Sequence, residues 1–160
     1  QRTFPGWGHM LENGATTLWE HWEFSDNTYS HNHPMFGSVS EWFYKVLAGI
    51  NAAPDAAGFD RILIRPQPVG GLRWVAASYD SVRGKVVSEW RREGGQFKLH
   101  IRVPVGAVAT VFVPARAGAE ITEGGQPIAR AAGVRLSGRE NGSVVLNVAA
   151  GEYHFASPLE

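Results

Sequence analysis

The chain has 160 residues, 44% of them hydrophobic, with 15 basic and 15 acidic side chains and no cysteine. That length suits one ordinary domain, or one plus an appended piece, with enough apolar content for a buried core. Formal neutrality argues against nucleic-acid partners and polybasic membrane patches, the missing thiols exclude disulfides and thiolate metal sites, and no apolar run reaches the ~18–20 residues of a membrane span.

The chain opens on Gln1 and closes on Leu159-Glu160, so a natural N-terminus upstream and a cloning scar at 159–160 are expected. Composition changes near residues 51–58: before them lie four of the six tryptophans and four of the six histidines. The first element is a short helix. Pro5 suits a first turn, Trp7, Met10 and Leu11 recur at helical spacing, and Asn13-Gly14 is a good C-terminal stop. A second helix is predicted over residues 34–47, because Met35, Val39, Trp42, Phe43, Val46 and Leu47 mark one apolar face. Gly49, Asn51 and Pro54 end it. The stretch between, 16–33, is rich in Trp, His and small polar residues without a clean period, and long ordered loops of this kind are usually functional.

Two helices with wide aromatic faces cannot close a core. They are expected to pack against something upstream or against the β domain, and if exposed, the Trp7, Trp42 and Phe43 faces would tend to self-associate.

Strand signals then follow in quick succession. They fall at 61–65, 72–79, 85–90, 97–103, 107–113, 134–136, 143–148 and 151–155. Glu93-Gly-Gly95 and Asn141-Gly142 read as hairpin turns. Short strands at regular spacing predict a β-sandwich, with Trp74 and Trp90 in its core.

The chemistry concentrates in the irregular stretch. Glu20 stands between the indoles of Trp19 and Trp22, which could exclude water around a general acid or base; the plainer reading is a capping or salt-bridging carboxylate. Glu12, Glu23, Asp26 and Glu41 compete with it. His31 and His33 flank Asn32. Zinc would need a third ligand from His9, His21 or Glu20, so no metal is expected, and the ββα context and basic surface of an H-N-H nuclease are missing. One imidazole is expected to meet a ligand hydroxyl while the other buttresses the loop. Trp19 and Trp22 are the better sugar-stacking candidates, whereas Trp42 is expected to pack in its helix. His100 and His154 lie on strands with no partner near in sequence and receive no role. No phosphate loop, dinucleotide fingerprint or nucleophile elbow occurs, and no cofactor is implied.

The blocks Gly14-Ala-Thr-Thr-Leu-Trp-Glu-His-Trp22, Ser30-His-Asn-His33, Gly37-Ser-Val39 with Trp42, and Leu47-Ala-Gly-Ile50 resemble the C-terminal end of bacterial α-L-rhamnosidases of glycoside hydrolase family 78. Ile62-x-Ile-Arg-Pro66, Gly84-Lys-Val-Val-Ser-Glu-Trp90 and Val103-Pro104 are similar to the β domain that follows the catalytic barrel. The resemblance implies an α+β fragment. Residues 1–57 would be the last helices and active-site loop of an (α/α)6 barrel, and residues 58–158 an antiparallel β-sandwich. It implies an inverting enzyme that releases terminal α-L-rhamnose from a rhamnose-containing glycoside, with Glu20 as general base. It also implies sugar contacts from His33 and Asn32, and a general acid in the missing upstream barrel of the same polypeptide. The segment from Glu20 to Asn32 is shorter than in that family, and Glu23 stands where Asp is common. The alternative is a non-catalytic carbohydrate-binding or structural sandwich, for which Trp74, Tyr79 and Trp90 are the aromatic supply.

Overall fold

The computed structural model describes residues 2–27 and 29–159; residues 1, 28 and 160 lie outside it, and with Glu160 half of the expected terminal scar. The chain divides into two compact units, Gln1–Trp42 and Phe43–Glu160.

In the first unit, helix α1 (Trp7–Glu12) stops where expected. The Asn13 side chain donates to the His9 carbonyl at 2.8 Å, and the Ala15 N–H reaches back to Met10 O at 3.0 Å. Only one of its apolar side chains is deeply buried: Met10 is 2% exposed and Leu11 71%. No helix or strand forms between residues 15 and 34 among the described residues. After Pro34 comes one 3-10 turn, Met35–Ser38, and then one α turn, α2 (Val39–Trp42). Trp42, expected to pack in its helix, is 44% exposed.

The second unit begins with a π turn, Phe43–Leu47, closed by the Ala48 N–H on Phe43 O at 3.0 Å. The single regular helix predicted over 34–47 is therefore three short pieces of different pitch. Among the described residues eleven strands follow: β1 (Ile50–Ala52), β2 (Arg61–Ile64), β3 (Trp74–Ser81), β4 (Gly84–Glu93), β5 (Gln96–Val103), β6 (Val108–Pro114), β7 (Thr122–Glu123), β8 (Gln126–Pro127), β9 (Val134–Glu140), β10 (Ser143–Val148) and β11 (Gly151–Pro158). They build a five-stranded sheet in the order β1-β2-β6-β10-β9 and a six-stranded sheet in the order β3-β4-β5-β11-β7-β8.

Alternation decides what each sheet buries. Phe97, Leu99, Ile101 and Val103 of β5 point inward, as do Val144, Leu146 and Val148 of β10. Together with Ile62, Ile64, Val111, Trp90 and Phe155 they form one core contributed by both sheets. This is the predicted sandwich, with one correction: β2 pairs with β6 in parallel, so the architecture is not purely antiparallel. Asn141 and Gly142, at φ of 46° and 74°, make the expected tight hairpin, since both centres of such a turn need positive φ.

Trp74 is a second correction. In the β3–β4 register Val75 faces Trp90 while Trp74 faces Arg91. Trp90 points into the core at 2% exposure, so the pleat places Trp74 on the outer face, 66% exposed. Tyr79 is 44% exposed and leans on Phe59, ring centroids 4.9 Å apart. At the chain's end, the Leu159 N–H donates to Gly95 O at 2.9 Å and its side chain packs against the core.

Candidate active-site loop

The loop of the first unit is tied by a ladder that local sequence does not announce. The Glu20 N–H donates to Ser30 O at 2.9 Å, and the His33 N–H to Leu18 O at 2.8 Å. The Thr17 hydroxyl donates to the carbonyl of His31. These bonds bring 17–20 alongside 30–33.

Glu20 is fastened at both ends. Its carboxylate oxygen Oε2 accepts the Ser30 N–H at 2.9 Å, returning the backbone bond between the same two residues. One carboxylate oxygen is thereby fixed, and Oε1 remains as the atom that could take a proton from water. The side chain is partly exposed.

The two imidazoles divide their work. His31 lies flat on Phe24, centroids 4.3 Å apart, and its Nε2 bonds the Ser25 carbonyl at 2.6 Å. A carbonyl can only accept, so that nitrogen carries the proton and His31 acts as a brace. His33 has the opposite pattern: its Nδ1 accepts the Met35 N–H at 3.2 Å. The proton of the neutral ring then sits on Nε2, a donor suited to a sugar hydroxyl. Asn32 is exposed beside it, its own N–H held by the Ser30 hydroxyl at 3.1 Å.

The indoles are more committed to packing. Trp19 is 3% exposed, edge-on to Phe24 at 5.2 Å and tilted over His31 at 6.2 Å. Its faces serve the loop's interior rather than open surface. Trp22 stacks on Phe36 at 3.9 Å with Trp7 against its edge at 5.4 Å. The Trp7 Nε1–H donates to Phe36 O at 3.2 Å, closing that aromatic group. His21 stacks on Tyr29 at 3.6 Å.

No three metal-ligating side chains converge in this loop among the described residues. They do converge on the sandwich, at His100, Glu152 and His154, a grouping the sequence reading passed over. The Glu-x-His spacing of residues 152 and 154 was visible as two side chains on one strand face. Their meeting with His100 depends on strand pairing.

Comparison with known families agrees along the chain. Residues 1–47 match the bacterial alpha-L-rhamnosidase 6 hairpin glycosidase domain, and residues 49–127 match the bacterial alpha-L-rhamnosidase C-terminal domain. An alpha-L-rhamnosidase of Streptomyces avermitilis is 34% identical over 97% of the chain, which covers 15% of that relative. One from Formosa agariphila is 27% identical over 96% of the chain and 17% of its own length. Among solved structures, the alpha-L-rhamnosidase of Dictyoglumus thermophilum superposes over 98% of the chain with a TM-score of 0.84 and 38% identity, and the chain covers 18% of it. The Streptomyces avermitilis enzyme complexed with L-rhamnose superposes with a TM-score of 0.83. The chain thus spans less than a fifth of the length of these relatives. With both domain models matched in order and the fold shared end to end, the chain belongs to the bacterial alpha-L-rhamnosidase family.

Proposed function

We propose that this chain is part of an inverting glycoside hydrolase that releases terminal α-L-rhamnose from rhamnosides. In this reading residues 1–57 carry the last helices and active-site loop of an (α/α)6 catalytic barrel and, at their end, the edge strand β1 of the sandwich sheet, and residues 58–158 are the rest of the sandwich that follows. Glu20 is the general base. Its Oε1 takes a proton from a water that attacks the anomeric carbon, while a general acid from the upstream barrel protonates the departing oxygen on the opposite side. Inverting carboxyl pairs stand about 6.5–9.5 Å apart to admit that water. His33 donates from Nε2 to a sugar hydroxyl, Asn32 adds a second polar contact, and Trp22 and Trp19 supply the aromatic wall and its support.

The observation that carries this reading is the double tether between Glu20 and Ser30, which fixes one carboxylate oxygen while leaving the other for water. Half of the acid–base pair lies in the upstream barrel, so the isolated chain does not hydrolyse rhamnosides.

The exposure of Trp74 favours a second reading for the sandwich alone, as a non-catalytic carbohydrate-binding face. An NMR titration of the labelled chain with L-rhamnose separates the two. Shifts confined to Glu20, Asn32, His33 and Trp22 support the half-site. Saturable shifts at Trp74 favour the binding face, and shifts at neither count against both.

A further inference from the structure

The outer face of the six-stranded sheet carries a row of polar side chains that the glycosidase reading does not use. Strand pairing sets Glu89 of β4 opposite His100 of β5, and His100 opposite His154 of β11. Glu152 lies two residues before His154 and so shares its face. His100 is held on both sides: Nδ1 lies 3.2 Å from Glu89 Oε2 and Nε2 lies 2.8 Å from Glu152 Oε1. The His154 ring stacks on His100, centroids 4.5 Å apart and 8° from parallel. One ligand atom each from His100, Glu152 and His154 falls within 4.8 Å of the others.

We propose that His100, His154 and Glu152 bind a transition-metal ion of the zinc type, with Glu89 orienting His100. A salt link alone would account for Glu89, His100 and Glu152. His154 faces His100 as a cross-strand pair, and because the lone pairs of parallel rings lie in separate planes, His154 must turn out of the stack to share an ion with His100.

Two nitrogens and one carboxylate form a borderline donor set that suits zinc, copper or nickel, whereas calcium takes six to eight oxygens. Ligand bonds of about 2.0–2.2 Å place tetrahedral donors roughly 3.3–3.5 Å apart. The His100–Glu152 pair need only open slightly from 2.8 Å, with the metal replacing the proton between them. His154 and Glu152 are exposed, so their side chains can close the remaining distance by rotation about soft terminal torsions. Glu89 on Nδ1 then supplies the carboxylate–histidine–metal arrangement that fixes which ring nitrogen binds. A fourth position is left for water.

The test is calorimetric titration of the 160-residue chain with zinc chloride at neutral pH, with histidine side-chain NMR to locate the site. Expected is saturable binding of one ion that shifts the His100 and His154 ring signals. Affinity should fall at least tenfold in His154→Ala and in His100→Ala. Glu89→Gln should weaken binding by about 10- to 100-fold while thermal melting without metal stays near that of the parent. The absence of saturable binding, affinity unchanged in His154→Ala, or shifts confined to His9, His21, His31 and His33 would each overturn the proposal.

Discussion

Two inward side chains of β4 grip consecutive carbonyls at the start of the sandwich unit, and their removal tests how that start is held. The Ser88 hydroxyl donates to Ala48 O at 2.7 Å, and the Trp90 Nε1–H donates to Leu47 O at 2.8 Å. Ser88, Ala48, Leu47 and Trp90 are all buried. Ser88→Ala removes one oxygen and leaves the Ala48 carbonyl without that donor in a place water does not reach. The expected cost is about 1–3 kcal/mol, the penalty for orphaning a buried polar group. Trp90→Phe orphans the Leu47 carbonyl and also opens space beside Phe97, whose ring lies 5.6 Å away. It should cost about 2–4 kcal/mol. Because both acceptors belong to one dipeptide, losing the first grip lets the segment relax away from the second. The double variant should therefore cost less than the sum of the singles by at least about 0.5 kcal/mol. Urea unfolding followed by far-UV circular dichroism gives all three values, with the midpoint falling and the slope unchanged. A Ser88→Ala effect below about 0.5 kcal/mol, or strict additivity, would refute the reasoning.

Gly49 should tolerate nothing larger: φ is +76°, and an added Cβ would lie 2.1 Å from the carbonyl carbon of Arg65. Gly49→Ala should lose at least about 3 kcal/mol, whereas Gly94→Ala, at φ +57° with open space around it, should lose about 1–2, both read from urea midpoints. Burial, and secondarily the Glu123 carboxylate, raise the Tyr153 phenol above its usual 10.0. The folded state thus holds that proton more tightly than the unfolded chain, and the contribution is complete below pH ~10 and lost as pH rises through the folded value. Melting temperatures should fall on that alkaline limb in the parent and fall less steeply in Tyr153→Phe; equal slopes would rule the phenol out.

Strand existence was written in local alternation, as β5 and β10 show, and the Asn141-Gly142 turn in its chemistry. Facing was not. Trp74 and Trp90 read alike until the register set them on opposite sides of the sheet. β1, β7 and β8 are two or three residues long, too short to carry a period, and exist because neighbouring strands offer them partners. The helical face over 34–47 was visible, but not the changes of pitch within it. In the loop, the residue types at 20, 31 and 33 pointed to polar chemistry. Which histidine braces and which presents a donor depended on Ser25 and Met35, contacts that no spacing rule supplies. His100 and His154, 54 residues apart in sequence, meet only through the β5–β11 pairing.

The most direct measurement of the central claim joins this chain to the upstream portion of the Streptomyces avermitilis relative and assays aryl α-L-rhamnoside hydrolysis with and without Glu20. The hybrid should be active, and Glu20→Ala should lower kcat by about 10²–10⁴-fold, the range for a lost general base. Azide, which needs no base to attack, should restore turnover in that variant and give a rhamnosyl azide of inverted, β configuration. A Glu20→Ala hybrid within tenfold of the parent, or an azide product of retained configuration, would contradict the role assigned to Glu20.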